Sequence, residues 1–131
     1  MKKYSFLVFS IIASLIFIAC QKKEAFKKEL VNDGYKVVII SDQPPHVGIN
    51  KWKIFVYTAD GKPVENAVVK NVNGYMPPMP GMPEMSFDYK VQKVADYFES
   101  DVNLSMGGTW QMTILVEIDG KPYEFKFGFN L

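Results

Sequence analysis

Methionine recurs every third residue through MPPMPGMPEM, residues 76–85, at Met76, Met79, Met82 and Met85. Thioether sulfur is a soft donor, and a row of such donors favours Cu(I) over zinc, magnesium or calcium. Two further residues could join it: Met106, followed by Gly107 and Gly108, and His46, the single histidine, whose imidazole suits copper in either oxidation state. Pro77, Pro78, Pro80 and Pro83 stand between the methionines, remove backbone donors and forbid a continuous helix. The spacing predicts an extended run near polyproline II, whose three residues per turn would set all four sulfurs along one edge. Methionine is also a flexible apolar filler. The same stretch therefore fits a hydrophobic cap over the open end of a β-structure, or a loop that docks on another protein.

Little else in the chain offers chemistry. Arginine is absent, Cys20 is the one cysteine, and the carboxylates are scattered over outward strand positions. Such a set leaves nothing for nucleophilic or phosphoryl catalysis, and an enzyme is not expected. The formal net charge is +1, with no basic patch of the kind that binds nucleic acid.

The N-terminus reads as a processing signal. Lys2 and Lys3 precede an apolar run from Phe6 to Ala19, too short to span a bilayer comfortably and of signal-peptide length. It ends in FIAC, residues 17–20, which resembles the lipobox of bacterial lipoproteins through Ala19 and Cys20. That resemblance implies cleavage before Cys20, with lipid on its sulfur and on the new amino terminus. Residues 1–19 are then the signal peptide and 20–34 a lysine-rich, flexible tether. The mature chain carries 13 lysines against 14 carboxylates. With its only thiol lipidated it has no disulfide, so stability must come from a core.

The elements that must position the methionines are strands. From Tyr35 onward short alternating or continuous apolar runs are separated by turn signals, which predicts seven strands: 35–40, 51–58, 64–70, 86–91, 97–104, a sixth from Trp110 to Ile118, and a last one carrying Tyr123, Phe125, Phe127 and Phe129 inward. Asp60-Gly61 and Asp119-Gly120 are strong hairpin signals, and Asn73-Gly74 is read as opening the methionine segment. Trp52 and Trp110 are core residues, and Met112, inward on its strand, is not counted as a ligand. Seven strands without a helix, over residues 35–131, indicate an all-β, immunoglobulin-like antiparallel β-sandwich. If successive strands alternate in direction, the loops at 41–50, 71–85 and 105–109 share one end, which gathers His46, the loop methionines and Met106. A tether entering before Tyr35 would join the opposite end, pointing the methionines away from the membrane.

PPHVGIN (44–50), DGKPVENAVV (60–69), the methionine block, MGGTW (106–110) and DGKPYEFKF (119–127), in that order, resemble the YtkA-like/FixH-like domain of bacterial envelope proteins. The resemblance implies a β-sandwich outside the cytoplasmic membrane, in the cell envelope on a periplasmic or outer-membrane face. It also implies a link to copper delivery, cation efflux or oxidase assembly. Carried over residue by residue, it makes Gly48 and Asn50 structural residues at the opening of a strand and Gly61 and Pro63 turn residues. Met79 and Met82 become the centre of the methionine motif, with Met106, Gly108 and Trp110 beside them. The function expected is a lipid-anchored envelope protein that binds Cu(I) for delivery, buffering or efflux. Its candidate donors are Met76, Met79, Met82, Met85, Met106 and His46, of which Cu(I) needs three or four, and it would exchange the ion with an envelope transport, efflux or oxidase-assembly protein. The alternative is a metal-free interaction module that docks through the Met/Pro loop.

Overall fold

A computed structural model describes residues 26–131, so the expected signal peptide, Cys20 and the first part of the expected tether lie outside the described residues. Among the described residues nine strands follow one another: β1 Phe26–Asn32, β2 Tyr35–Ser41, β3 Gly48–Thr58, β4 Ala67–Met76, β5 Met85–Tyr89, β6 Val91–Val94, β7 Tyr97–Leu104, β8 Thr109–Ile118 and β9 Lys121–Asn130. They form two antiparallel sheets, β1-β2-β3-β7-β6 and β5-β4-β8-β9, packed face to face as the expected sandwich. Nine strands stand where seven were read, for two local reasons.

The first is β1. Phe26–Asn32, assigned from the sequence to the tether, pairs along its whole length with β2, from Phe26 opposite Ser41 to Asn32 opposite Tyr35. Its polarity is that of an edge strand with one solvated face. Lys27, Lys28 and Glu29 are exposed, while Phe26 and Leu30 pack on the core. The Phe26 ring stacks on Trp52 with centroids 6.1 Å apart. Asp33 (φ 52°) and Gly34 (φ 82°) close the hairpin, both in the left-handed region that a two-residue type I′ turn needs.

The second is the split of the fourth predicted strand. β5 pairs with β4 in one sheet and β6 with β7 in the other, with Lys90 alone between them. One passage of chain thus crosses the sandwich. Ser100 Oγ donates to the Lys90 carbonyl at 2.9 Å, and Tyr89 Oη donates to the Asn103 carbonyl at 2.6 Å, tying the sheets at the crossing.

Turn signals divide according to where the core sits. Asp119-Gly120 closes a two-residue hairpin between β8 and β9 as expected. Asp60-Gly61 turns the chain, but only the single bridge Tyr57–Pro63 follows before the chain enters the other sheet. Asn73-Gly74 opens no turn and lies inside β4. A Cβ at Gly74 would stand 3.0 Å from the Tyr89 ring and 3.3 Å from Trp110, so glycine there gives two aromatic rings room to pack on the sheet. In β4 the register slips between Val69 and Asn71. This bulge reverses which parity points inward: Ala67 and Val69 are buried before it, Val72 and Met76 after it. β8 follows its sequence reading, with Trp110, Met112, Ile114, Val116 and Ile118 all buried. Trp52 and Trp110 are fully buried, and burying an aromatic or large aliphatic side chain stabilises by ~1.5–3 kcal/mol.

Three loops share one end of the sandwich: 42–47, 77–84 and 105–108. Because β1 runs antiparallel to β2 and Phe26 faces Ser41, the chain also arrives at this end. The expectation that the tether joins the opposite end is therefore overturned. One strand added before Tyr35 reverses the polarity of entry.

Candidate metal centre

The methionine segment is a hairpin, not a polyproline row. Met76 is opposite Met85 in the last pair of the β4–β5 ladder, and Met79 bridges Met82 beyond it. Met79 and Met82 exchange both backbone hydrogen bonds, N to O, at 3.0 and 2.8 Å. Between them stand Pro80 and Gly81, the latter at φ 83°. Proline at the second position and a left-handed glycine at the third are the signature of a type II turn, and this local preference outweighs the extended run that prolines otherwise favour. Spacing by three thus places the thioethers in two cross-strand pairs. Directly opposite residues set their Cβ atoms ~4.5–5.5 Å apart, so two flexible thioethers on one face of the tip can share one ion.

The two pairs differ in depth. Met79 and Met82 are 41% and 38% exposed, whereas Met76 is 2% exposed and belongs to the core. Met85 and Met106 are half-buried and pack on that core. Tyr75 Oη donates to Glu84 Oε2 at 2.8 Å across the base of the hairpin. That hydrogen bond to a carboxylate, with some burial and the negative charge itself, raises the Tyr75 phenol above its ordinary value.

Gly108 forms the floor beneath the hairpin. Its φ is 132°, and a Cβ built on it would lie 2.8 Å from the Met76 methyl and 3.8 Å from the Met79 methyl. A methionine of each pair therefore closes on the 105–108 loop, where the backbone conformation favours glycine and the methionine methyls fill the space a Cβ would take. Met106, two residues earlier, accepts through its carbonyl a 3.0 Å hydrogen bond from Trp110 Nε1. The buried tryptophan thus fixes the loop that bears this thioether.

His46 reaches the same end on the 42–47 loop, held by Asn50. The 1% exposed Asn50 accepts from His46 N through Oδ1 at 3.0 Å, and its Nδ2 donates to the carbonyls of His46, Gly48 and Val102 at 2.8, 3.0 and 3.2 Å. His46 Nδ1 lies 3.0 Å from the Pro44 carbonyl. A carbonyl only accepts, so Nδ1 carries the proton in the neutral ring and Nε2 keeps its lone pair for a ligand. The structure thus brings the hairpin methionines and the 105–108 loop into contact, and sets His46 on a neighbouring loop with its own support. Among the described residues no cluster of three or more His, Cys, Asp or Glu side chains is placed to hold a metal ion. Gly81, Tyr75 and Glu84 were not singled out from the sequence. The Pro80-Gly81 pair was the available signal.

No curated protein matches the chain at a significant level. Among solved structures, a DUF4426 family protein from Pseudomonas aeruginosa superposes with a TM-score of 0.52 at 15% identity, covering 80% of this chain and 94% of its own. A copper-bound variant of FetP from uropathogenic Escherichia coli superposes with a TM-score of 0.51 at 7% identity, covering 79% and 93%. At these identities the likeness is one of fold. The YtkA-like family profile matches residues 29–115, from β1 into β8, and the chain belongs to that family.

Proposed function

We propose that this protein is an envelope lipoprotein, anchored through Cys20, that binds Cu(I) on its methionine hairpin for delivery, buffering or efflux. The observation that carries the reading is the pairing of Met79 with Met82 across an exposed turn. Two soft donors presented together, reachable from solvent, allow an incoming partner to replace ligands one at a time. Met85 and Met106 stand behind them as further donors, His46 Nε2 is the nitrogen available at the same end, and the buried Met76 comes last in reach. The copper-bound state of the FetP variant, which shares the sandwich, supports metal handling on this fold. Nothing in the site supplies a nucleophile and base in contact, so a binding role is favoured over catalysis.

The test is a Cu(I) competition titration, under anaerobic reducing conditions, on the 26–131 fragment and on its Met79→Leu/Met82→Leu variant. One equivalent bound by the first, with affinity lowered at least tenfold in the second at unchanged thermal stability, is the expected result. Absence of binding by the folded fragment would overturn the copper reading.

A second reading is favoured by a separate observation. Val47 and Ile49 are 55% and 64% exposed beside the His46 loop, and with Met79 and Met82 they put four exposed apolar side chains at an end that also carries Asp42 and Glu84. A metal-free docking module would keep its partner when leucine replaces the sulfurs.

A further inference from the structure

The direction of β1 bears on where this end lies in the envelope. Phe26 starts β1 at the methionine end, opposite Ser41, and six peptide steps separate it from Cys20. A fully extended chain spans at most ~3.3–3.6 Å per residue, so that leash reaches roughly 20 Å. β3, by contrast, has 11 residues, which at ~3.3 Å per residue makes the sandwich about 35 Å long. A leash shorter than the domain cannot let it turn over and present the far hairpins, 33–34 and 119–120, squarely to the membrane.

We infer that the methionine end rests on the surface of the lipid bilayer in which Cys20 is anchored, with Val47, Ile49, Met79 and Met82 as the side chains that meet it. The inference depends on the lipid-anchored part of the proposed function and does not require copper; where both hold, the partner that takes the ion from Met79 and Met82 would itself be membrane-bound. The exposed side chains at this end suit that surface. Four apolar groups project there, 38–64% exposed, and Lys27 and Lys28 are exposed at the start of β1 in the same region. Apolar tips that enter the headgroup layer, flanked by lysines near lipid phosphates, are the chemistry of an interfacial contact. The far end carries the Asp33-Gly34 and Asp119-Gly120 hairpins and exposes Val31 and Val68 on the strands behind them, so the choice between the two ends rests on the reach of the leash.

The experiment uses the full chain, processed and lipidated in a bacterial host and reconstituted into phosphatidylethanolamine/phosphatidylglycerol vesicles that contain brominated lipid. With Cys20 blocked by lipid, Val47→Cys and Lys121→Cys each supply a single thiol for an environment-sensitive fluorophore, one at each end. The label at 47 is expected to be quenched several-fold more strongly than the label at 121. Equal quenching at both positions, stronger quenching at 121, or failure of the full chain to enter vesicles would overturn the inference. Copper affinity measured on the 26–131 fragment is unaffected by any of these outcomes, so the two readings fail separately.

Discussion

At the scale of single residues, the candidate site depends on two residues that donate nothing to a metal. Gly108 sits at φ 132° with the Met76 methyl 2.8 Å from where its Cβ would be. Gly108→Ala must strain the backbone, at a cost of ~1–3 kcal/mol, and displace the Met76 methyl, the flexible end of its side chain. Urea unfolding should show that loss together with weaker Cu(I) binding, and unchanged stability would mean that the loop relaxes freely. Asn50 is the second. Its amide makes four hydrogen bonds to the backbone of β7 and of the chain around His46, so Asn50→Ala leaves buried carbonyls unpaired at about 1–3 kcal/mol. Hydrogen exchange at the His46 amide is expected to accelerate far more than exchange at the amide of Ile114. Both residues were in view from the sequence, Asn50 through the resemblance of VGIN to the family's pattern and Gly108 through the glycine pair after Met106. What the sequence lacked was the partner, because a glycine's reason is the side chain that occupies its missing Cβ.

At the scale of elements, the sequence was legible where one face is buried and the other solvated, as in β8, and illegible where neighbours decide. β1 looked like tether because an edge strand needs only Phe26 and Leu30 inward. The bulge at Lys70 left no trace in composition, yet it turns Met76 into the core. The methionine spacing of three was real, but it belongs to a hairpin with its turn at Pro80-Gly81. Crossing between sheets at Lys90 was equally unreadable, and it carries a pH signature. Burial raises the Tyr89 phenol above its ordinary value, and its hydroxyl donates to the Asn103 carbonyl in the opposite sheet. A group whose folded pKa is raised lends stability that is complete below its unfolded pKa and is lost as pH rises through the folded value. Stability should therefore fall on the alkaline side, above ordinary tyrosine titration, and Tyr89→Phe should flatten that limb in denaturant unfolding followed against pH. A limb that is unchanged in the variant would assign the loss to other groups. On the acid side, hydrogen bonds from Asn71 and Asn73 hold the Asp88 carboxyl below its usual value. Its contribution is present above the unfolded carboxylate pKa and disappears as pH falls through the lowered folded one.

At the scale of the whole molecule, β1 decides both stability and orientation, and the two can be separated by cutting it away. In the intact domain β1 covers the edge of β2 along seven paired positions, and Phe26 closes a cluster in which Trp52 also meets Phe127 and Phe129, with centroids 5.7 and 6.5 Å away. Removing β1 exposes that cluster and leaves YKVVIIS as an unprotected, apolar edge strand, the kind of edge that pairs with another chain. Phe26 and Leu30 are only partly buried, so their loss should cost about 2–4 kcal/mol, at the lower end of full burial for two large apolar side chains. The fragment 35–131 is therefore expected to unfold at clearly lower urea than 26–131 and to self-associate with rising concentration, both readable by unfolding curves and light scattering. Equal stability of the two fragments would mean that β1 merely lies along the sheet. The paired hairpin would then still bind its ion, but the leash from Cys20 would lengthen by all of β1 and its turn. At roughly 50 Å over fifteen residues it would exceed the length of the sandwich, and the methionine end would be free to face away from the lipid. Stability of β1 is thus the condition on which a membrane-facing metal site rests.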